Sequence, residues 1–354
     1  MKNPHERISQ KDIATRAGVH ITTVSLALRD SPRLPAETRT RIQALAREMG
    51  YRPDPMLTAL TSYRQSTKLP IHQGTLGWIA SDLQNLSTRN ITLEYQPAVR
   101  DRCLELGYQL EEFHLSELSR PRLAKILKAR NIQGLIFPPQ GRHLTHINFD
   151  WESFSSVTFG FSLARPKLHL VTNAQYSSSR LAIRAMRKHG YRRIGYASIH
   201  SADVRTNQNF SSGFLAEQRG FRQSDQIPML IYDETKPYGR KYYVQQFYQW
   251  LQTYKPEAIL ALDDDVFKAM DELKISYETC GVASLALKET ATGRAGVCQN
   301  SSAIGRTAVD FLVGMMHRNE RGVPAIPVQV LVSGTWVEGE TLPRSVQPKA
   351  GSAS

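Results

Sequence analysis

The feature that most constrains this fold is a series of short amphipathic segments within the first sixty residues. Ser9 followed three positions later by Asp12 has the spacing of a capping box, which predicts a helix that begins at Gln10. Gly18 is expected to end this helix, because a glycine readily adopts the left-handed conformation found at helix ends. The chain therefore begins its ordered part with a short, well-capped helix.

Two further helices are predicted close behind the first. One runs from Ile21 to Leu28 with His20 at its N-cap position, and the next has Pro35 in its first turn and ends at Gly50. Two helices joined by a glycine turn and followed by a third form the helix-turn-helix pattern. The alternative is a small helical bundle without that function. The apolar positions expected to form the shared core are Ile13, Ala14, Ala17, Val24, Ala27, Leu28, Ile42, Leu45, Ala46 and Met49.

Six short motifs in this region combine fixed residue types at fixed spacing. They are Lys11–Ala14, Ala17–Val19, Thr23–Ser25, Thr38–Arg39, Gly50–Pro53 and Ala59–Leu60. With these motifs, residues 8–60 resemble the DNA-binding headpiece of the LacI/GalR (lactose-repressor) family of bacterial transcription regulators. Further segments of the body resemble the effector domain of the same family, so the resemblance extends over nearly the whole chain.

The resemblance implies that the second helix enters the major groove of DNA. The residues at its base-reading positions are Ile21, Thr22 and Leu26. Ile21 and Leu26 cannot donate hydrogen bonds, so apolar contact with thymine methyl groups is the direct readout left to them, and Thr22 is the polar reader. The alternative for Leu26 is that it turns toward the headpiece core and reads nothing.

Other positions correspond to residues that touch backbone phosphates in the family. Short hydroxyl side chains and arginines suit such contacts, which set the register on DNA without reading its sequence. The arginines among them could equally be solvated surface charges. These predicted phosphate contacts are Ser9, Ser25, Arg29, Arg33, Thr38 and Tyr51.

A short hinge helix is predicted after the headpiece. Asp54 can serve as its N-cap and Pro55 as its first residue, but the fragment 56–62 is too short to be stable alone in water. The resemblance implies that paired hinge helices lie in the minor groove, where Leu60 is the apolar wedge that kinks the DNA. The alternative for Leu60 is a buried linker leucine.

From Thr75 onward, apolar strand segments alternate with amphipathic helical segments, a rhythm that predicts parallel sheets. One helix is expected from Pro97 to Leu106, and the chain between Phe137 and Ser177 is expected to be less regular. The resemblance implies an effector domain similar to periplasmic sugar-binding proteins. The predicted fold class is therefore an all-α helix-turn-helix headpiece and hinge helix joined to an α/β domain of two parallel-sheet lobes.

This interpretation divides the chain into four segments. They are a headpiece at 1–52, a hinge helix and linker at 53–73, a two-lobed effector-binding and dimerisation domain at 74–340, and a flexible tail at 341–354. The tail lacks heptads, so a tetramer assembled through a C-terminal coiled coil is not predicted.

Ligands of such sheets bind beyond the carboxyl ends of the strands, which directs attention to the loops that follow them. The effector candidates are Asp82, Leu83, Arg205, Asp263 and Asp264. In the family, an arginine in the loop of Arg205 often binds the hydroxyls or carboxylate of the effector, and its fork suits both. The alternatives are an ordinary loop arginine and, for the two aspartates, capping of the helix that follows. The expected ligand is a sugar or a sugar derivative.

The charge distribution favours an acidic partner. The chain has a formal net charge of +13, and its first 68 residues hold 12 Lys and Arg against 6 Asp and Glu. Cys103, Cys280 and Cys298 are widely spaced, which predicts buried thiols rather than a disulfide framework or a zinc site. No secretion signal, membrane-spanning run, cofactor motif, metal-binding cluster or catalytic motif is found in the sequence.

The sequence thus predicts a cytoplasmic, nucleoid-associated DNA-binding transcriptional regulator, a repressor that binds a palindromic operator as a homodimer under the control of a small carbohydrate effector. The first alternative is a solute-binding receptor without regulatory DNA binding. The second is an enzyme on the same α/β scaffold, for which no nucleophile with an evident base is found.

Overall fold

The fold is that of a computed structural model, which describes residues 8–28, 31, 34–51, 73–80, 86–140, 145–234 and 239–344, with side chains of the helix at 86–105 described from residue 94. Several predicted features lie outside the described residues. They are the hinge helix with Leu60, the phosphate contacts Arg29 and Arg33, the effector candidates Asp82 and Leu83, and the end of the tail from residue 345.

The headpiece contains three helices with the predicted order. They are α1 (Gln10–Ala17), α2 (Ile21–Leu28) and α3 (Ala36–Glu48). Their inward faces share one small core formed by Ile13, Ala14, Val24, Ala27, Ile42 and Ala46. The predicted three-helix unit is therefore confirmed, although Pro35 precedes α3 as its N-cap residue instead of lying within its first turn.

Local signals in the sequence explain where α1 starts and stops. The Ser9 N–H donates to Asp12 Oδ2 over 2.9 Å, and the Asp12 N–H donates to Ser9 Oγ over 3.3 Å. This reciprocal pair is the predicted capping box. Gly18 lies at φ +66°, a left-handed conformation that a residue with a side chain rarely adopts, and it turns the chain toward α2.

The remainder of the described chain alternates strands and helices. The strands are β1 (Gly74–Ala80), β2 (Tyr108–His114), β3 (Gly134–Phe137), β4 (Thr145–His146), β5 (Ser155–Phe159), β6 (Leu163–Arg165), β7 (His169–Asn173), β8 (Ile194–Ile199), β9 (Leu230–Tyr232), β10 (Ala258–Ala261), β11 (Gly281–Leu287), β12 (Ala295–Cys298), β13 (Gln329–Val332) and β14 (Thr335–Val337). The helices are α4 (Leu86–Glu105), α5 (Arg120–Ala129), α6 (Gln175–Lys188), α7 (His200–Arg205), α8 (Asn209–Gln218), α9 (Gly239–Tyr254), α10 (Asp265–Glu272) and α11 (Ser301–His317).

These elements form two lobes, each built on a six-stranded sheet. The first lobe has the strand order β13-β7-β5-β3-β1-β2, with α4 and α11 on one face and α5 on the other. The second has the order β14-β12-β11-β10-β8-β9, with α6 and α8 on one face and α9 and α10 on the other. Within these two sheets the pairs are parallel except for β14, which runs antiparallel to β12. The predicted pair of parallel-sheet lobes is confirmed.

Two local predictions for the first lobe were wrong. The predicted helix start at Pro97 is the interior of α4, which begins at Leu86 and continues past this exposed proline. The supposedly irregular stretch after Phe137 contains β5 and β7, which are central in the sheet. Their pattern was hidden because polar residues such as Ser156 and Thr172 are buried there.

The second lobe extends beyond the predicted boundary at residue 340. Thr341 Oγ1 donates to the Val282 carbonyl over 2.8 Å and accepts the Ala295 N–H over 3.0 Å, while Leu342 is buried in the lobe's core. The packed chain therefore includes the first residues of the predicted flexible tail. Cys103, Cys280 and Cys298 are all buried, as predicted.

Candidate functional site

The outer face of α2 carries the residues predicted to read DNA bases. Ile21 is 42% exposed, Thr22 is exposed, and Ser25 and Leu26 are half-buried. At 3.6 residues per turn these positions form one continuous surface, opposite the core residues Val24 and Ala27. An exposed isoleucine beside a threonine gives this surface an apolar character.

The packing of the headpiece core bears on whether the Leu26 side chain turns inward. The headpiece core and the partly buried side chains packed against it include Leu28, Leu34 and Leu45, but not Leu26. Because its apolar surface contributes nothing to that cluster, the described packing favours an outward orientation for Leu26.

His20 stands immediately before α2 and caps it. Its carbonyl accepts the Thr23 N–H over 2.9 Å, and its ring nitrogen Nδ1 accepts the Thr22 N–H over 3.3 Å. The same Nδ1 lies 2.8 Å from Thr22 Oγ1. The ring of His20 is thus held against a predicted base-reading side chain, and both side chains are exposed.

The predicted phosphate contacts that the structure describes have different surroundings. Ser9 belongs to the cap of α1, and Tyr51 Oη accepts a hydrogen bond of 3.2 Å from Gln10 Nε2. Thr38 lies half-buried in the first turn of α3, and Ser25 lies on the outer face of α2. Their roles toward DNA remain predictions.

Two side chains of α3 fix the chain between α2 and α3. Arg39 Nη1 donates to the Leu34 carbonyl over 2.7 Å, and Gln43 Nε2 donates to the Ala27 carbonyl over 2.9 Å. These bonds satisfy carbonyls at the end of α2 and in the loop after it, and so hold the predicted reading helix in place.

A buried relay of amide side chains links the two lobes where the chain first crosses between them. Asn209 Nδ2 donates to Gln175 Oε1 over 3.2 Å, and Gln175 Nε2 donates to Asn173 Oδ1 over 3.1 Å. Asn173 Nδ2 then donates to Gln299 Oε1, and Gln299 Nε2 donates to the Leu285 carbonyl. The relay runs from α8 of the second lobe through the end of β7 in the first lobe and back to the second lobe.

The other crossings between the lobes are tied to each other as well. Asn300, at φ +54°, uses Nδ2 to donate to the Ser333 carbonyl over 2.8 Å and to Thr335 Oγ1 over 3.0 Å. The Ala174 N–H donates to the Val332 carbonyl over 2.8 Å. All three crossings therefore share one hydrogen-bonded junction. This junction was not predicted from the sequence, although polar residues placed directly after buried strands were a usable signal.

Asp263 lies at the carboxyl end of β10 and is held by two backbone groups. Oδ2 accepts the Ile199 N–H over 2.8 Å, and Oδ1 accepts the Asp265 N–H over 3.0 Å. Burial raises the pKa of this carboxyl to about 6, while the two backbone bonds act in the opposite direction. Asp264 is exposed and forms an ion pair of 2.5 Å with Arg294. Asp264 is the N-cap residue of α10 and its side chain makes no cap hydrogen bond, whereas Asp263 bonds the N–H of the first helical residue, Asp265.

Arg205 ends α7, the helix that follows β8. It is half-buried, and burial lowers the pKa of its guanidinium. Val204 and Asn207 contribute the second lobe's part of a cavity of about 120 Å³, whose other wall comes from the first lobe. The first-lobe lining consists of Thr158, Gly160, Phe161, Leu163, Ala164, Lys167, Leu168, Leu170, Pro327 and Gln329.

A larger concavity lies elsewhere and includes no residue of the second lobe. It has a volume of about 610 Å³ and is formed on the outside of the first lobe by α5 and the loop Asn148–Asp150. Among the side chains that the structure describes, no cluster of His, Cys, Asp or Glu could hold a metal ion. No described helix has the length and apolar character needed to cross a membrane.

Comparison with known proteins adds independent information on each part. Residues 9–54 match the family model described as bacterial regulatory proteins, lacI family. The HTH-type transcriptional regulator DegA of Bacillus subtilis (strain 168) is 27% identical over 128 residues, which are 36% of this chain and 34% of DegA. The sucrose operon repressor of Streptococcus mutans serotype c (strain ATCC 700610 / UA159) is 25% identical over 259 residues, 72% of each protein.

A solved structure is similar to nearly the whole chain. The lac repressor dimer bound to operator and the anti-inducer ONPF superimposes with a TM-score of 0.53 at 17% identity, covering 96% of this chain and 100% of that one. At this identity the likeness concerns the fold.

The fold and the matched segment define a class of protein, a helix-turn-helix domain joined to a two-lobed α/β domain. More specifically, residues 9–54 match the family described as bacterial regulatory proteins, lacI family, and nearly the whole chain is similar in fold to the lac repressor.

Proposed function

We propose that this protein is a transcriptional regulator that represses its target genes by binding a palindromic DNA operator as a homodimer, under the control of a small carbohydrate. The observation that carries the proposal is the exposed face of α2, where Ile21, Thr22 and Leu26 stand on a helix-turn-helix unit of the lacI type. Because it acts on bacterial DNA, the protein is proposed to work in the cytoplasm, at the nucleoid.

The dimer and the bent operator are further parts of the proposal. Two headpieces on a palindromic site require two copies of the chain, related by the symmetry of the DNA. The lac repressor structure, described as a dimer bound to operator, supports this arrangement. Leu60 is proposed as the minor-groove wedge, and Leu60→Ala is expected to reduce DNA bending in a circular-permutation assay.

The effector is proposed to bind between the two lobes, at the carboxyl ends of the strands. Arg205 and Asp263 follow β8 and β10 of the second lobe, beyond the carboxyl ends of these strands, and the sucrose operon repressor supports a carbohydrate as the ligand class. The cavity of about 120 Å³ is smaller than the roughly 300–1,000 Å³ of ordinary ligand pockets, so a sugar enters only if the lobes separate. Separation of the lobes strains the hydrogen bonds of the junction around Asn173 and Asn300. Ligand binding is therefore expected to change how the two lobes are arranged.

The proposed coupling is a shift between two arrangements of the lobes. A ligand that prefers one arrangement increases its population, and the spacing of the paired headpieces changes with it. We propose no catalytic role for the two-lobed domain, since the relatives are transcriptional regulators and the lobe junction contains amide groups in hydrogen bonds to each other.

The DNA-binding part of the proposal is tested by selection from randomised duplex DNA with the full-length protein. A palindromic consensus is expected, with thymines at positions read by Ile21 and Leu26. Enrichment of no sequence over non-specific DNA would contradict the proposal. Leu26→Arg is expected to change the consensus at one position in each half-site, because a guanidinium prefers guanine to a thymine methyl group.

The effector part is tested by a thermal-shift screen of sugars, sugar phosphates and nucleobases. At least one carbohydrate is expected to raise the melting temperature, and Arg205→Ala is expected to abolish that shift. The matched control is Arg192→Ala, which removes an exposed arginine at the opposite end of β8. A stabilising carbohydrate whose effect survives Arg205→Ala would exclude the role of Arg205, and a response to nucleobases alone would exclude a carbohydrate.

A further inference from the structure

The capping geometry of His20 fixes which ring nitrogen carries its proton. A backbone N–H can only donate, and the Thr22 N–H points at His20 Nδ1 over 3.3 Å, so Nδ1 is the acceptor. A neutral imidazole that accepts through Nδ1 carries its hydrogen on Nε2. The exposed ring therefore presents an N–H donor at the start of α2.

The same geometry determines what Thr22 offers. Its hydroxyl lies 2.8 Å from His20 Nδ1; with Nδ1 unprotonated, the Thr22 hydroxyl is the donor and shares the single Nδ1 lone pair with the Thr22 N–H. With its hydrogen used, Thr22 Oγ1 keeps its acceptor lone pairs for DNA. Thr22 taken alone could act as either donor or acceptor, and the contact with His20 removes that ambiguity.

We propose that His20 is a base-reading residue and that it works with Thr22 as one unit, in which His20 supplies the hydrogen-bond donor and Thr22 the acceptor. This inference rests on the proposed DNA-binding function. His20 adds a hydrogen-bond donor to a base-reading surface on which Ile21 and Leu26 can make only apolar contacts.

Position and chemistry both support a base edge as the target of His20. The N-terminal residues of a recognition helix are the ones that contact base edges in the major groove. The ring of His20 lies against the side chain of Thr22, on the outer face of α2. In the major groove, guanine offers two acceptors, N7 and O6, and no donor, whereas adenine N7 lies beside the N6 donor, thymine O4 lies beside a methyl group, and cytosine N4 donates. His20 is therefore expected to select a guanine, and Thr22 an adenine or cytosine, in each half-site.

The test uses the full-length protein and a substitution that keeps the helix cap. Serine is among the best N-cap residues, so His20→Ser preserves the acceptor for the start of α2 while removing the ring donor. The matched control is His146→Ser, which makes the same change at an exposed position of the first lobe. Melting temperatures of all three proteins establish that the headpiece remains folded.

Selection from randomised DNA at one fixed salt concentration gives the readout. The wild type and His146→Ser are expected to share a consensus with a guanine in each half-site, and His20→Ser to lose that preference, with about five- to tenfold weaker binding to the wild-type consensus. Thr22→Val is expected to alter the base preference, and in the double variant the two losses are expected to be less than additive, because each substitution breaks the same unit.

Two results would overturn the inference while leaving the DNA-binding function intact. One is an unchanged consensus and affinity for His20→Ser. The other is an equal loss of affinity for every sequence, since this is the behaviour of a phosphate contact and not of a base contact. If the wild type selects no sequence at all, the proposed function itself fails.

Discussion

Asp263→Asn should change how the stability of this protein depends on pH. The Asp263 carboxyl is mostly buried at the end of β10, and burial raises its pKa from 3.8 to about 6 even though two backbone N–H groups bond it. Asp265 adds a smaller effect in the same direction. In the unfolded chain the carboxyl returns to its ordinary pKa.

The direction in which stability changes with pH depends on whether the folded or the unfolded state holds the Asp263 proton more tightly. The folded state does, so Asp263 contributes stability that is fully present below about pH 3.8 and is lost as the pH rises through about 6. A shift from 3.8 to about 6 corresponds to about 3 kcal/mol in all, of which about 2 kcal/mol falls between roughly pH 4.5 and pH 7.5. Asparagine cannot titrate, so the variant lacks this dependence. It also loses one backbone hydrogen bond, which lowers its stability equally at both pH values.

Urea unfolding followed by circular dichroism measures the effect. The difference in unfolding free energy between wild type and Asp263→Asn is expected to change by about 2 kcal/mol from roughly pH 4.5 to pH 7.5, the variant gaining relative to the wild type as the pH rises. Asp264→Asn is the matched control, because its carboxylate is exposed and paired with Arg294. Parallel pH profiles for wild type and Asp263→Asn would refute the reasoning.

Two further substitutions test the packing of the lobes. Gly213→Ala places a methyl group about 2.5 Å from the Tyr176 carbonyl oxygen, so α6 and α8 must separate and the unfolding free energy is expected to fall by about 1–3 kcal/mol. Gly220→Ala meets its nearest atom at 3.5 Å and is the control, and equal melting temperatures for the two variants would contradict the close approach of α6 and α8. Asn173→Ala leaves Gln299 Oε1 without its donor and is expected to cost about 1–3 kcal/mol in thermal unfolding, whereas an unchanged melting temperature would contradict the role of the relay.

The headpiece could be predicted closely because its signals are local. Ser9 and Asp12 are three residues apart and cap each other, and Gly18 and Gly50 both adopt the left-handed conformation expected of helix-ending glycines. The apolar spacing of α1 to α3 predicts the core that these helices share. A reading surface on α2 follows from the same spacing, since the residues that are not in the core face outward.

The fold class of the two lobes was predicted from the sequence, but the hydrogen-bonded junction between them was not. Asn173 and Gln299 are 126 residues apart, and no local periodicity connects one with the other. The strands beside this junction bury Ser156 and Thr172, so they lack the continuous apolar run that marks β3. The contact of His20 with Thr22 was missed for a different reason, because the direction of a side-chain hydrogen bond depends on geometry that residue types alone do not supply.

The proposed coupling links a ligand bound between the lobes to the affinity of the headpieces for DNA. The most direct test measures the dissociation constant of the full-length protein for its selected operator, with and without a carbohydrate that raises its melting temperature. We expect this dissociation constant to change about fivefold or more, the size typical of coupling between two sites. An operator affinity that is the same in the presence of a saturating, stabilising carbohydrate would contradict the proposed coupling.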